Sequence, residues 1–410
     1  MVLSHSRYSF PRCVSMYINN KRIYLDYASL TPVDTGVRRV MGRISRKFFA
    51  NPSALYGEGV VAKRVLENAR AQSAEFFNAH KDEIYFTSGG TESNNVAIRG
   101  IIDMARSNGT LYKKMHIVTS AIEHSSVLEV MKFFEKHGVD ITYLGVDSRG
   151  MIIQKELEAA LRPETVLVSI MMVNNEVGSF NDPRLIAQNI RHFVRHRQNR
   201  NRVSQKIYFH TDASQAGLYY DINTERLGAD MITFDGQKMY GPRSSGLLFV
   251  RRGILLAPIL FGGGQEKGLR PGTEDVAKAV GITEALREAI RVRRRESARL
   301  YELKKYFLSE LLKINGVNLN GTFEDSSPHI LNVSVQGIDN EFFILQLDAR
   351  GIAASTKSAC LRDENESYVI RALGRSDRAK NSIRFSFGRR TTKRDIHQAI
   401  FVIKEILALR

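Results

Sequence analysis

The chain has 410 residues, 43% of them hydrophobic and 25% charged, with two cysteines and a formal net charge of +17. That length buries a large core and suggests two or three domains. The composition excludes a disulfide scaffold and a multi-cysteine metal site, and no apolar run nears the roughly 20 residues of a membrane-spanning helix, so a membrane protein is not expected.

Two cysteines suit a reducing compartment. The basic balance leaves an acidic partner such as RNA open without indicating any chemistry. The first 25 residues hold no acid but include Arg7, Arg12, Lys21 and Arg22. They read as a disordered extension over 1–20, with Met16 as an internal start, in a cytoplasmic protein. The alternative is a transit peptide and the mitochondrial matrix.

Along the chain, β-rich runs alternate with helical ones. "EIYFT" (83–87), "HIVTS" (116–120), "DITYLGV" (140–146), "TVLVSIMMV" (165–173) and "KIYFHTD" (206–212) read as strands. Residues 124–138 and 184–197 read as helices. Several strands are continuously apolar, as expected where helices cover both sheet faces. The expected fold is α/β with a mainly parallel sheet. After residue 275 the pattern changes to a long charged helix over roughly 275–313, "HILNVSV" (329–335), a helix over 340–351, "SIRFSFG" (382–388) and a terminal helix. This divides the chain into a large domain over 21–275, whose first residues are available to the small domain, and a smaller α+β domain over 276–410.

Three stretches carry chemistry. In "YFTSGGTESNNVAIRG" (85–100) a strand ends in a Gly-Gly turn and a helix starts near Thr91. Free N–H groups and the positive dipole end suit an anion there, although a Ser/Thr-rich helix start is also an ordinary cap. In "FHTDASQAG" (209–217) Asp212 closes an apolar strand, where α/β sheets place ligand-binding groups. In "MITFDGQKMYGPRSSGLLFV" (231–250) Lys238 stands between two apolar runs, at a tight Gly-Pro turn. A buried lysine is a good nucleophile. A Schiff-base lysine, an Asp for a ring nitrogen and a phosphate cup together describe a pyridoxal phosphate site.

At this point the sequence resembles the cysteine desulfurases of the NifS/IscS type, within the class-V aminotransferases. The matching stretches run in order from "IYLDYASLTPVD" (23–34) to about residue 409. They include "NPSALYGEG", "FTSGGTESNN", "SAIEHSSV", "MMVNNEVG", "HTDASQ", "GQKMYGP", "GGGQEKGLRPGT", "STKSAC", "ESYVIRALG" and "SIRFSFGRRT". The resemblance implies a fold-type I enzyme with a seven-stranded, mainly parallel sheet. It implies Lys238 as the Schiff-base lysine, Asp212 on the pyridine nitrogen, and His124 stacked on the ring with a part in proton transfer. Without the resemblance, His124 reads as a helix N-terminal polar residue. The resemblance also implies Asn175 at the ring hydroxyl and substrate, Gln215 holding the cofactor, Gly90 and Thr91 on the phosphate, and Thr273 on the phosphate of a neighbouring subunit, hence a homodimer. Arg384 would clamp the carboxylate of L-cysteine, and Cys360 would carry sulfur as a persulfide. Even before the resemblance, the polar surroundings "STKSACLRDENES" favour a reactive thiol at Cys360, with Lys357 and Arg362 nearby; Cys13 receives no role.

The chain also departs from the family. Asp235 stands where Ser usually contributes to the phosphate site, so Asp235 is left out of that site. Gln237, Gln265 and Tyr56 replace usual histidines, and Lys357 replaces a glycine. The expected function is conversion of L-cysteine to L-alanine, with sulfur passed to an iron–sulfur scaffold or a tRNA thiolation enzyme. The alternatives are a selenocysteine lyase or class-V aminotransferase and, from another class, a non-catalytic scaffold or RNA-binding protein. The acid-free stretch 191–206 allows a weak tRNA contact but equally reads as a solvated helix end. His192 and His196, spaced i,i+4, lack a third ligand for a metal.

Overall fold

The computed structural model describes residues 22–198, 206–356 and 366–408. After a short strand β1 (Ile23–Tyr24), a central sheet is built from β2 (Ile84–Thr87), β3 (His116–Ser120), β4 (Asp140–Leu144), β5 (Thr165–Ser169), β6 (Tyr208–Asp212), β7 (Met231–Asp235) and β8 (Gly246–Val250). Their spatial order is β2-β8-β7-β6-β5-β3-β4 in a 7-stranded sheet. Neighbours from β4 through β7 run parallel, while β8 is antiparallel to both β7 and β2. The link from β7 to β8, 236–245, is shorter than the dozen or so residues that a parallel crossover needs, so the second strand returns as a hairpin.

The continuous apolar runs are explained by burial on both faces. Successive side chains alternate between two cores: Val118, Val168, Ile232 and Phe249 enter one, while Ile117, Leu167, Met231 and Leu248 enter the other. The helices Gly90–Ser107 and Ser125–Lys136 cover the second face through Val96, Ile101, Val127 and Met131. The expected strand 165–173 stops at Ser169. Beyond it the chain still bonds to β6, with the Met172 amide donating to the Asp212 carbonyl at 2.9 Å. It then turns because the Asn174 side chain accepts the amides of Glu176 and Val177, each at 2.9 Å.

The helix Val276–Leu311 has 36 residues, about 54 Å at 1.5 Å per residue. Ile282, Leu286 and Ala289 from its first half join the first sheet core. Leu300, Leu303, Phe307 and Leu311 join a separate core under the C-terminal elements. Those elements include β9 (Val317–Leu319), β10 (Ile330–Val335), β11 (Ile352–Ala353) and β12 (Ser382–Ser386), with β10 central and antiparallel to β9 and β12. Strand β1 pairs with β11, so the start of the described chain packs with these C-terminal elements. Among the described residues, no helix is long and apolar enough to cross a membrane.

Candidate active site

The parallel strands all end on one side, and the segments that follow them converge on a cavity of about 210 Å³. Strand β2 delivers Gly90 and Thr91, β3 delivers His124, β5 delivers Asn175, β6 delivers Asp212 and Gln215, and β7 delivers Lys238; Arg384 comes from β12. Carboxyl ends of strands in an open α/β sheet are where such sites form. Eight of the residues singled out from the sequence therefore share one cavity wall.

Asp212 is buried, and its carboxylate is held by two other groups. Asn94 Nδ2 donates to Oδ2 at 2.8 Å, and the Ser214 amide donates to Oδ1 at 2.9 Å. Asn94 Nδ2 also reaches Ser126 Oγ at 2.9 Å, and Ser126 Oγ lies 2.9 Å from His124 Nδ1. His124 caps the helix Ser125–Lys136, with Nδ1 accepting the Ser126 amide at 3.2 Å. Burial holds its pKa below the ordinary 6.5, so the ring stays neutral at neutral pH, with the proton on Nε2. His124 is thus both the helix cap read from its position and a cavity residue. Asn94 and Ser126 were not singled out from the sequence. Asn94 lies one turn after Gly90 on the same helix face, which is the signal that could have found it.

Lys238 ends a short helical turn, Gly236–Lys238, that Asp235 caps through the Gln237 amide. Its Nζ donates to the carbonyls of Ala28 at 3.1 Å and Ser29 at 2.5 Å. Gln215 Nε2 donates to the same Ala28 carbonyl at 2.9 Å, and its Oε1 lies 3.1 Å from His329 Nε2. Arg384 is 1% exposed. Its guanidinium donates to the Asn175 carbonyl at 2.7 Å, Asp26 Oδ1 at 2.8 Å and Ser29 Oγ at 2.6 Å. These bonds fix the guanidinium in one orientation at the cavity wall.

The helix Gly90–Ser107 points its N-terminus at the cavity, preceded by Gly89 at φ 148°. A Cβ at Gly90 would meet Ser214 Oγ at 3.0 Å and Asp235 Cβ at 3.4 Å, so a side chain there would press on both and narrow the cup. Asp235, left out of the phosphate site on sequence grounds, lines this same cavity.

Thr273 does not reach that cavity within the chain. It lines another, of about 320 Å³, together with Ser88, Gly246, Glu266 and Arg270. Its loop is anchored by Glu266, which accepts both prongs of Arg70 at 2.7 Å each in a buried pair. Gln265 lies in the same loop and accepts the Gly272 amide; Tyr56 is largely exposed. Cys360, Lys357, Arg362 and Cys13 lie outside the described residues, as does part of the basic stretch 191–206. His192 and His196 meet edge to face with ring centroids 4.2 Å apart, and no group of three metal-ligating side chains forms among the described residues.

The cavity suits a polar, phosphorylated aromatic ligand. Asn175 Oδ1 and Ser214 Oγ on its wall are buried and have no hydrogen-bond partner within the described residues, and buried polar atoms normally have one. With Lys238, Asp212 and a helix N-terminus around the same space, these residues fit pyridoxal phosphate.

Comparison with known proteins agrees. The aminotransferase class-V family matches residues 23–399. The chain is 38% identical over 390 residues to the cysteine desulfurase IscS of Dictyoglomus turgidum, covering 94% of this chain and 95% of that protein. It is 40% identical over 390 residues to the IscS of Klebsiella pneumoniae, covering 93% and 92%. Among solved structures, a NifS-like protein superposes with a TM-score of 0.87 at 30% identity, over 95% of this chain and 100% of that one. SspA in complex with cysteine gives 0.74 at 32% identity, over 89% and 98%. The order of motifs, the strand-end cavity and these matches lead to one placement: the chain belongs to the class-V aminotransferase family, among its cysteine desulfurases, and is a pyridoxal-phosphate-dependent enzyme.

Proposed function

We propose that this enzyme converts L-cysteine to L-alanine, takes the sulfur as a persulfide on Cys360, and hands it to acceptors in iron–sulfur cluster assembly or tRNA thiolation. The observation that carries the reading is the shared cavity of Lys238, Asp212, His124 and Arg384.

Bound at Lys238, the cofactor supplies an electron sink for the substrate Cα. Lys238 holds the cofactor aldehyde through its amine and, once released, takes the proton from Cα as general base. Asp212, fixed by Asn94 and the Ser214 amide, would set its carboxylate beside the pyridine nitrogen. Neutral His124, with its proton on Nε2, would lie against the ring. Arg384 holds the substrate carboxylate and so orients Cα and the thiol. Asn175 and Gln215 would hold the ring's polar edge, and Gly90 and Thr91 would receive the phosphate through amides at the helix start. The Cys360 thiolate attacks the substrate sulfur: an S–S bond forms as the Cβ–S bond breaks, and the bond electrons return to the carbon skeleton, which leaves as alanine after protonation.

In our reading the active unit is a homodimer in which Thr273 reaches the phosphate held by the other subunit. Its fixed loop and separate cavity support this, as do the exposed Leu55, Leu255 and Phe261. Our reading keeps the cytoplasm as the compartment, with the mitochondrial matrix as the alternative. The test is to add L-cysteine to purified, cofactor-loaded protein and measure alanine and sulfide with a reductant present. Alanine from the wild type and none from Cys360→Ala is expected. Absence of alanine from cofactor-loaded wild type would overturn the reading.

A further inference from the structure

The wall beside Gly90 holds an acid that the proposed phosphate cup has to accommodate. Asp235 is 6% exposed. A Cβ built on Gly90 stands 3.5 Å from Asp235 Oδ2 and 3.0 Å from Ser214 Oγ, and the latter is buried with no hydrogen-bond partner among the described residues. Among the described residues, the hydrogen bonds recorded for the Asp235 carboxylate both come from Gln237. Its amide donates to Oδ1 at 3.1 Å and its Nε2 to Oδ2 at 3.0 Å. Each carboxyl oxygen therefore keeps acceptor capacity toward the cavity.

The charged groups around it do not neutralise an added phosphate and the carboxylate together. Lys238, on its own turn, is the residue that holds the cofactor aldehyde, and Asp212, at the end of β6, adds a like charge. From the helix Gly90–Ser107, Glu92 is engaged with the Ser88 amide and Arg270. On β8 the register partner is Gly246, which has no side chain to offer. A phosphate and an ionised carboxylate side by side repel, whereas one proton between them makes a short, charge-assisted O–H···O⁻ bond.

We propose that Asp235 is a ligand of the cofactor phosphate that keeps a proton on its carboxyl when the phosphate is bound, so that loading the phosphorylated cofactor takes up a proton. This rests on the pyridoxal phosphate site proposed above. Burial, which pushes the Asp235 pKa above its ordinary value, acts in the same direction. By linkage, affinity for the phosphorylated cofactor falls by up to about tenfold per pH unit once the free Asp235 ionises.

The experiment titrates stripped enzyme with pyridoxal phosphate and with pyridoxal from mildly acid to alkaline pH. Binding is followed by the visible absorbance of the protein-bound cofactor, and proton uptake by calorimetry in buffers of different ionisation enthalpy. Asp235→Asn keeps the turn cap and the shape but cannot ionise. In the wild type, the preference for pyridoxal phosphate over pyridoxal should shrink as pH rises, with about one more proton taken up for the phosphorylated form. In Asp235→Asn that preference should stay flatter, and pyridoxal phosphate should bind roughly tenfold tighter than in the wild type at alkaline pH. An identical pH course in both proteins overturns the proposal. Failure of either compound to bind either protein at any pH would instead remove the cofactor site on which it rests.

Discussion

Asp212 and Asp235 end the neighbouring strands β6 and β7, are both buried and line the same cavity, yet they are held in different ways. The bonds recorded for Asp212 come from Asn94, on a helix far away in sequence, and from the Ser214 amide. Those recorded for Asp235 both come from Gln237, within its own turn. The first carboxylate is locked by tertiary contacts that continue through Ser126 to His124. Among the described residues, the second is fixed only by its own turn. One end of the cavity is therefore preorganised around a single charge arrangement, whereas the other can change its proton with its ligand.

The most severe change is Lys238→Ala, which removes both the covalent anchor and the base. Alanine formation should fall by roughly 10³-fold or more, with the visible absorbance of the bound cofactor lost. Asp212→Asn comes next and tests the locked end. It keeps the shape but removes the charge that the proposal places at the ring nitrogen, and kcat should fall by roughly 100-fold at saturating cofactor. Asp235→Asn should act mainly on cofactor affinity and its pH dependence, and lose less kcat at saturating cofactor than Asp212→Asn. If the two variants lose kcat equally, the contrast between the two ends fails.

Asn94→Ala strips Asp212 Oδ2 of its donor and should cost about 1–3 kcal/mol of stability in denaturant unfolding. His124 should shape the pH profile. Because burial depresses its pKa from 6.5, the folded state binds that proton more weakly than the unfolded state. The contribution to stability is present above about pH 6.5 and is lost as pH falls below it through the folded value. Thermal melts of wild type and His124→Gln across pH 5–8 check this, and a smaller acid-side loss is expected in the variant.

The opposite pH course is expected of Glu123, the neighbour of His124. Its buried carboxyl accepts from Ser120 Oγ at 2.5 Å and the Met171 amide at 2.8 Å, and burial pushes its pKa up to about 8. Here the sign reverses, because the folded state holds the proton. Stability is greatest at acid pH and declines as pH rises toward about 8. Glu123→Gln should melt nearer to the wild type in acid and above it at pH 9.

The strands were legible because apolar runs such as "TVLVS" and "MITFD" are buried on both faces, and the long connector because its helical pattern crosses from one core to another. The direction of β8 was less visible in composition; it follows from the short link after Asp235. The cavity residues were legible where each one closes a strand. Asn94, Ser126 and Asp26 were not, because each is tied to the site by a partner distant in sequence: Asn94 and Asp212 are 118 positions apart, Ser126 and Asn94 32, Asp26 and Arg384 358. Asp235 shows a subtler limit. Its chemistry argued against a phosphate contact, and only the close approach of Gly90 brought it to the cavity wall.

The central claim is that sulfur leaves L-cysteine in the Lys238 cavity and arrives on Cys360. The most direct measurement is a single turnover of cofactor-loaded enzyme with L-cysteine, followed by alkylation and peptide mass mapping of both cysteines. One added sulfur on the Cys360 peptide, none on the Cys13 peptide, and neither in Lys238→Ala is the expected result. Alanine formed in step with substrate while Cys360 carries no added sulfur would contradict it.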